Sequence, residues 1–327
     1  MNSQSNNSDN KRTITRILTV DSKFKDDDRK NTTSHFQVSF PERINEVTKM
    51  EIMEYSGPSA IRMISDAQQN NFFTLTLKYS DATPDATKVI KSPDTYRIER
   101  SIMTSATLIA FINNINAQLT AAGSDFEYGS FKFNHEIVAD VSLNEIIMDR
   151  TISFVYDPTV ASNNNVSEVI LDFVSPTPGQ STVPFVFEKS LGYILGFRKG
   201  KVSSSVLSNN KYYIEAASLV DLNDFKYAYL IVDDFISNSE TNIITSEVKS
   251  QGNCAGSLRH GGNILGKIIY RNELNYNMYN RVISTPREYY GSVDIQKLKI
   301  ALVNEYGDYI DTQELDWSFT LRLTSTV

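Results

Sequence analysis

The chain has 327 residues, 40% of them hydrophobic and 11% aromatic, enough to bury roughly three quarters of its unfolded surface in one large β domain or two small ones. Its formal charge of -7 comes from interspersed acids and bases without a block of either sign, which counts against direct nucleic-acid binding. Cys254 is the only cysteine, which excludes an intrachain disulfide and a thiolate metal cluster within one chain, and no window reaches the roughly 18 to 20 apolar residues of a membrane-spanning helix.

Residues 1–12, MNSQSNNSDNKR, have no apolar core after Met1 and are expected to form a flexible arm, not a signal peptide or transit helix. β-Branched and apolar residues from Thr13 to Val20 predict a first strand, ended by the charged turn Lys25 to Lys30. Phe36, Val38 and Phe40 alternate up to Pro41. A separate strand around Val47 to Tyr55 closes at Gly57-Pro58, because proline has no N–H to give to a ladder. Phe73, Leu75, Leu77 and Tyr79 make the next stripe. One segment leaves this period: Leu108, Phe111, Ile112, Ile115 and Leu119 follow helical spacing, which predicts a helix over about 104–120 that Gly123 ends. Its uncharged polar face, Asn113, Asn114 and Gln118, makes it a cover for one edge or end of a sandwich.

Strand signals resume at Tyr128 to Phe133, Ile152 to Tyr156, Val169 to Val174, Tyr212 to Ile214 and Tyr227 to Phe235, separated by long Asn-, Pro- and Gly-rich loops. The polar stretch 237–262 is the longest weakly patterned region, an exposed insertion or a contact loop. From Arg287 two period-2 stripes run to the last residue, Leu298, Ile300 and Leu302, then Trp317, Phe319, Leu321 and Leu323, joined by a turn at Glu305-Tyr306-Gly307-Asp308. A half-buried last strand must pair with something else, which leans the reading toward an assembly or binding protein. The pattern as a whole is all-β: one elaborated β-sandwich over 13–327 with long loop insertions, or the same with a small second β subdomain within 237–327.

Motifs that carry chemistry are sparse. His35, His135 and His260 lack metal-ligand spacing, and neither a Gly-x-Ser-x-Gly elbow nor a phosphate-binding Gly-Lys-Ser/Thr loop occurs, so no catalytic, cofactor-binding or metal residue is nominated and no enzyme is expected. Asp26-Asp27-Asp28 and Asp233-Asp234 lack the glycine turn and distal Glu of a calcium loop and read as solvated turns. Arg259-His260-Gly261-Gly262 has the composition of an anion-binding nest, with a mobile loop as the expected role, and Arg198-Lys199-Gly200-Lys201 reads as the charged end of an element. Tyr276, Tyr279, Tyr289 and Tyr290 form a cluster that a sugar-binding platform would use. A glycosidase-type carboxylate pair is a matter of three-dimensional separation that spacing does not decide.

Three tracts resemble structural proteins of nucleocytoplasmic large DNA viruses, the giant viruses and their relatives. These are ILTVDSKFKDDDRKNTTSHFQVSFPERINEVTKMEIMEYSGP, SLGYILGFRKG from Ser190 with its Leu-Gly-Phe element, and the tract from Arg287, above all EYYGSVDIQKLKIALVNEYGDYID and LDWSFTLRL. The resemblance implies a jelly-roll type β-sandwich acting in the virion, without a catalytic set or a cofactor. It implies a penton at capsid vertices built as a homopentamer through jelly-roll side contacts, or a minor capsid protein cementing major capsomers. The implied partners are copies of the chain itself, the major capsid protein and other minor capsid proteins, assembled in the cytoplasm of an infected host cell. A carbohydrate- or receptor-binding β-sandwich is the alternative from a different class.

Overall fold

The computed structural model describes residues 12–27, 30–58, 60–66, 70–92, 95–98, 105–134, 137–140, 145–148, 151–160, 165–174, 187–205, 207–220, 227–236, 244–248, 256–260, 263–270 and 281–326. The expected arm, apart from Arg12, lies outside them. In chain order the strands are β1 (Thr13–Asp21), β2 (His35–Ser56), β3 (Ala60–Ile64), β4 (Phe72–Tyr79), β5 (Ala86–Lys91) and β6 (Thr95–Ile98). After helix α1 (Ser105–Ala121) come β7 (Gly129–Asn134), β8 (Ile137–Asp140), β9 (Glu145–Met148), β10 (Thr151–Tyr156) and β11 (Val166–Asp172). The short helix α2 (Leu191–Ile194) precedes β12 (Lys201–Ser204), β13 (Leu207–Ser208), β14 (Lys211–Glu215) and β15 (Tyr227–Asp233). Last are β16 (Ile244–Val248), β17 (Gly256–His260), β18 (Ile264–Ile269), β19 (Arg281–Ser284), β20 (Arg287–Val303) and β21 (Ser318–Thr326).

Seven strands make one antiparallel sheet in the order β1-β21-β2-β20-β15-β18-β19. Two of its strands are long and bent. The first part of β2, His35 to Ser39, pairs with Ala301 to Lys297 of β20, whereas Val47 to Ser56 pairs with β21. β20 divides in the same way, because Arg287 and Glu288 face Met50 and Lys49 while Lys299 to Val303 also pair with β15. The corners carry Glu46 at φ 58° and Gly291 at φ 95°. There the Glu46 N–H donates to Asp294 at 3.1 Å, and Arg43 lies 3.6 Å from the same carboxylate. Strands that switch layers at such bends are how one sheet folds into a sandwich.

The result is two layers. One contains β1, β21, the second half of β2 and β19 with the start of β20; the other contains the first half of β2, the end of β20, β15 and β18. Pairing of β18 with β19 joins the layers along one side, and the Ile52 N–H reaches Ser284 Oγ at 3.3 Å to tie β19 back to β2. The curled sheet is therefore a half-barrel, open between β1 and the first half of β2, with the strand order of a jelly roll. Phe36, Met50, Leu230, Leu298, Ile300, Trp317, Phe319 and Leu321 fill its interior.

Two expectations change here. Pro41 does not separate two strands: β2 runs through it for 22 residues, since the ladder to β20 is interrupted between Ser39 and Ile44 and asks no N–H of that position. The last two stripes are not a hairpin either. The turn exists, with Gly307 at φ 84° and its N–H bonded to the Asn304 carbonyl, but the chain then crosses and β21 enters between β1 and β2. The partner that a half-buried last strand demands is thus supplied by the start of the same chain, so that strand gives no argument for assembly.

Between β2 and β15 the chain builds a second cluster of buried side chains. Two four-stranded sheets, β13-β14-β10-β7 and β12-β11-β4-β5, meet through Phe73 and Phe131, whose rings lie 5.4 Å apart edge to face. Helix α1 lays Leu108, Phe111, Ile112, Ile115 and Leu119 on this core, the face that its spacing predicts, and it ends before Gly123 at φ 121°. Asn116 holds the helix to edge strand β7 by accepting from the Phe131 N–H at 2.7 Å and donating to its carbonyl at 3.0 Å. The covering role expected of the helix is what the structure has. Within 237–262, β16 and β17 pair as a hairpin.

Candidate functional site

The open side of the half-barrel has two strand edges, and the chain treats them differently. A free edge offers unpaired N–H and C=O groups to any extended segment, so most proteins protect it. On the first half of β2 the protection comes from Asp26, in the connection after β1. Its carboxylate accepts from the Ser39 N–H at 3.0 Å, Ser39 Oγ at 2.7 Å and Gln37 Nε2 at 3.0 Å, and its own N–H donates to the Gln37 carbonyl at 2.8 Å. The Thr32 N–H adds a bond to the His35 carbonyl at 2.9 Å. Burial pushes the Asp26 carboxyl up, but the bonds from Ser39 and Gln37 outweigh it and hold the group below the ordinary aspartate value. Asp26 is a cap, not the solvated turn expected of it; Asp27 is exposed and Asp28 lies outside the described residues.

On β1 no such cover exists among the described residues. Its inner neighbour is β21, in unbroken register from Thr13↔Thr326 to Asp21↔Ser318. Ile14 is 41% exposed, Ile17 57% and Phe24, just past the strand end, 76%. Arg16 turns its guanidinium along the sheet to the Asn45 carbonyl at 3.3 Å and Ser325 Oγ at 3.2 Å.

Asp233-Asp234 also departs from a solvated turn. Asp234 is buried, 2.7 Å from Arg287, which is buried too and donates a second bond to the Val232 carbonyl at 2.7 Å. The Ile236 N–H donates to the other Asp234 oxygen at 3.0 Å, and the Tyr289 hydroxyl donates to the one that Arg287 holds. Burial, then the Asp234 charge, pushes the Tyr289 phenol far above its ordinary range. This network joins the end of β15 to the start of β20, and the separation of 53 positions between Asp234 and Arg287 left no sequence signal for it. It also takes Tyr289 out of the proposed sugar platform. Tyr290 is exposed, and Tyr276 and Tyr279 lie outside the described residues.

The remaining candidates do not converge. Arg198 lies over the Tyr193 ring at 4.3 Å and donates to the Tyr193 and Phe197 carbonyls and to Ser218 Oγ, so the basic knot is tied to its own neighbourhood through one of its three cations. His35 packs against the Tyr309 ring at 4.8 Å, and burial, then Lys299, lowers its pKa. His135, the side chains of Arg259 and His260, and Gly261-Gly262 lie outside the described residues. Among the described residues no group of three His, Cys, Asp or Glu is placed to hold a metal ion, and no helix is long and apolar enough to cross a membrane.

No protein-family model matches the chain, and no curated protein matches it. Among solved structures, the penton protein of mavirus is similar over 97% of this chain and 100% of its own, at 6% identity and TM-score 0.41. A chain from the structure of the Sputnik virophage is similar over 96% of this chain and 98% of its own, at 12% identity and TM-score 0.37. At such identities and scores neither likeness decides what this chain does.

Proposed function

We propose that this chain is a non-enzymatic structural subunit of a large DNA virus capsid, acting in the virion as the penton at its vertices, with five copies meeting through the sides of their jelly rolls. The observation that carries the reading is the ring of strands itself: a jelly roll closed on one side, with a second packed β unit inserted between β2 and β15. A fold alone hosts many functions. What this one supplies to a shell is mechanical, because a sheet bent through two corners and joined by a buried ion pair presents its side surfaces rigidly to neighbours. Five copies in head-to-tail contact close a ring and leave no dangling interface. The three sequence tracts that resemble giant-virus capsid proteins fall on this framework: the first on β1 and β2, the last on β20 and β21, and the Leu-Gly-Phe tract on the inserted unit. Partners on this reading are further copies, the major capsid protein and other minor capsid proteins, and assembly takes place in the cytoplasm of the infected host cell.

The test is the mass of the purified protein by light scattering across concentrations, with electron-microscope images of the same fractions. A species of five chain masses with five-fold views is expected; a strict monomer at the highest concentration overturns the penton reading.

A further inference from the structure

We infer that the outer edge of β1 is a docking site for β1 of a second copy, paired antiparallel about a two-fold axis centred on Ile17. This inference does not rest on the five-fold proposal.

The first observation is the contrast between the two edges. The β2 edge is occupied by Asp26 and Thr32, whereas β1 keeps nine residues in regular register with no proline, glycine or bulge. Bulges, proline and outward lysines are the usual means of blocking an edge, and here the one cation in the body of the strand, Arg16, is bonded back to Asn45 and Ser325. The exposed apolar side chains Ile14, Ile17 and Phe24 lie on this strand and just past its end.

The second observation says what covers it. A two-fold axis normal to the sheet keeps each face of β1 on its own side, so facing residues must have numbers that sum to an even value. Centring on Ile17 uses all nine residues and sets Ile17 against Ile17, Thr15 against Thr19, and Ile14 against Val20. Arg16 then faces Leu18, and Asp21 faces Thr13, so no two like charges meet. Centring one residue earlier puts Arg16 against Arg16, and one residue later shortens the ladder to seven residues. The chosen register also continues a hydroxyl pattern already present in the sheet, where Thr13, Thr15 and Thr19 face Thr326, Thr324 and Thr320. Paired apolar and hydroxyl side chains across a ladder are favourable and like charges are not. The strand is thus complementary to itself, which is what an isologous contact requires.

The test is site-resolved cross-linking of the full chain, with Cys254→Ser as background and the products read on a non-reducing denaturing gel, which counts covalently joined chains whatever ring they came from. Facing residues of an antiparallel pair lie about 4.5 to 5.5 Å apart at Cα, within disulfide range. Ile17→Cys is expected to give a dimer band under mild oxidation. Thr19→Cys, which faces Thr15, sits roughly 13 Å from its own copy at the strand rise and is expected to stay monomeric, as is Ile283→Cys on the far edge. All three positions are at least partly exposed, so none of the substitutions threatens the fold. No dimer from Ile17→Cys, or equal dimer from all three, overturns the inference. A second arm uses charge: Ile17→Lys and Ile17→Glu are each expected to lower the mass that light scattering reads for the unsubstituted chain to that of the species without the β1 contact and to recover it on mixing, and failure to recover overturns the register. Loss of the five-fold mass with the cross-link intact would remove the penton reading alone, and the reverse outcome would remove only this inference.

Discussion

Arg287 and Asp234 are almost wholly withdrawn from water, so their value lies in being kept together. An ion pair taken out of solvent gains about what it loses in desolvation, but removing one partner leaves a bare charge that the interior cannot solvate. Arg287→Ala is therefore expected to cost about 3–5 kcal/mol of unfolding free energy in a urea titration. Tyr289→Phe, which leaves the ion pair in place, is expected to cost about 1.5–3 kcal/mol, the value of a bond to a charged group. The same cluster sets a pH dependence. Tyr289 keeps its proton in the folded state far above the ordinary phenol value of 10.0, so its stabilisation is complete below that pH and is lost as pH rises. The urea midpoint should fall between about pH 9 and 11, and less steeply in Tyr289→Phe. Equal slopes for the two proteins would remove Tyr289 as the cause, and an Arg287→Ala loss below about 1 kcal/mol would mean that water reaches the pair.

Helix α1 was legible because a 3.6-residue period stands out among alternating strands, and Leu108, Phe111, Ile112, Ile115 and Leu119 all face the core. What the period left unstated is how the helix is fixed. Asn116 takes both backbone groups of Phe131, a pairing between a helix side chain and an edge strand that no local pattern encodes. Asn116→Ala is expected to cost about 1–3 kcal/mol by leaving an edge N–H and C=O without partners, while Asn113→Ala, on the exposed face, stays within about 0.5 kcal/mol. Equal effects would show that apolar contact alone seats the helix. Strands with a clean alternation, such as β4, β15 and β21, were equally readable, because each buries one face. The bent β2 and the crossing of β21 were not, since a corner is set by the neighbour that stops pairing and not by the residues at the bend. Asp26 was missed for the same reason: its partners Gln37 and Ser39 become visible only once the loop lies along the β2 edge. Gly196 is the opposite case. It stands at φ 94° with the Ser218 carbonyl oxygen only 2.1 Å from where a Cβ would sit, which explains why glycine occupies the middle of Leu195-Gly196-Phe197.

At the scale of the whole molecule, the half-barrel and the inserted β unit each have their own buried cluster. Every strand of the ring lies outside the segment that forms the second cluster. Contact between the two includes Lys189, which pairs with Asp308 and lies 4.8 Å from the centre of the Tyr306 ring at the turn after β20. A partly exposed pair of that kind contributes little, and two units that each bury their own cluster of side chains are free to melt separately. The chain carries its own probe, since Trp317 is the single tryptophan and is buried in the barrel cluster beside Phe36 and Phe319. In urea, tryptophan fluorescence is therefore expected to report the barrel alone, while far-UV circular dichroism reports both units, and the two transitions should not coincide. Replacing residues 63–226 by a flexible Gly/Ser linker should leave the fluorescence transition in place, because β1, β2, β15 and β18 to β21 are all retained, together with Ile61, which is buried in the barrel cluster. Coincident transitions in the full chain, together with loss of the fluorescence transition on excision, would make the insertion part of one cooperative body and place rigidity in the join between the units.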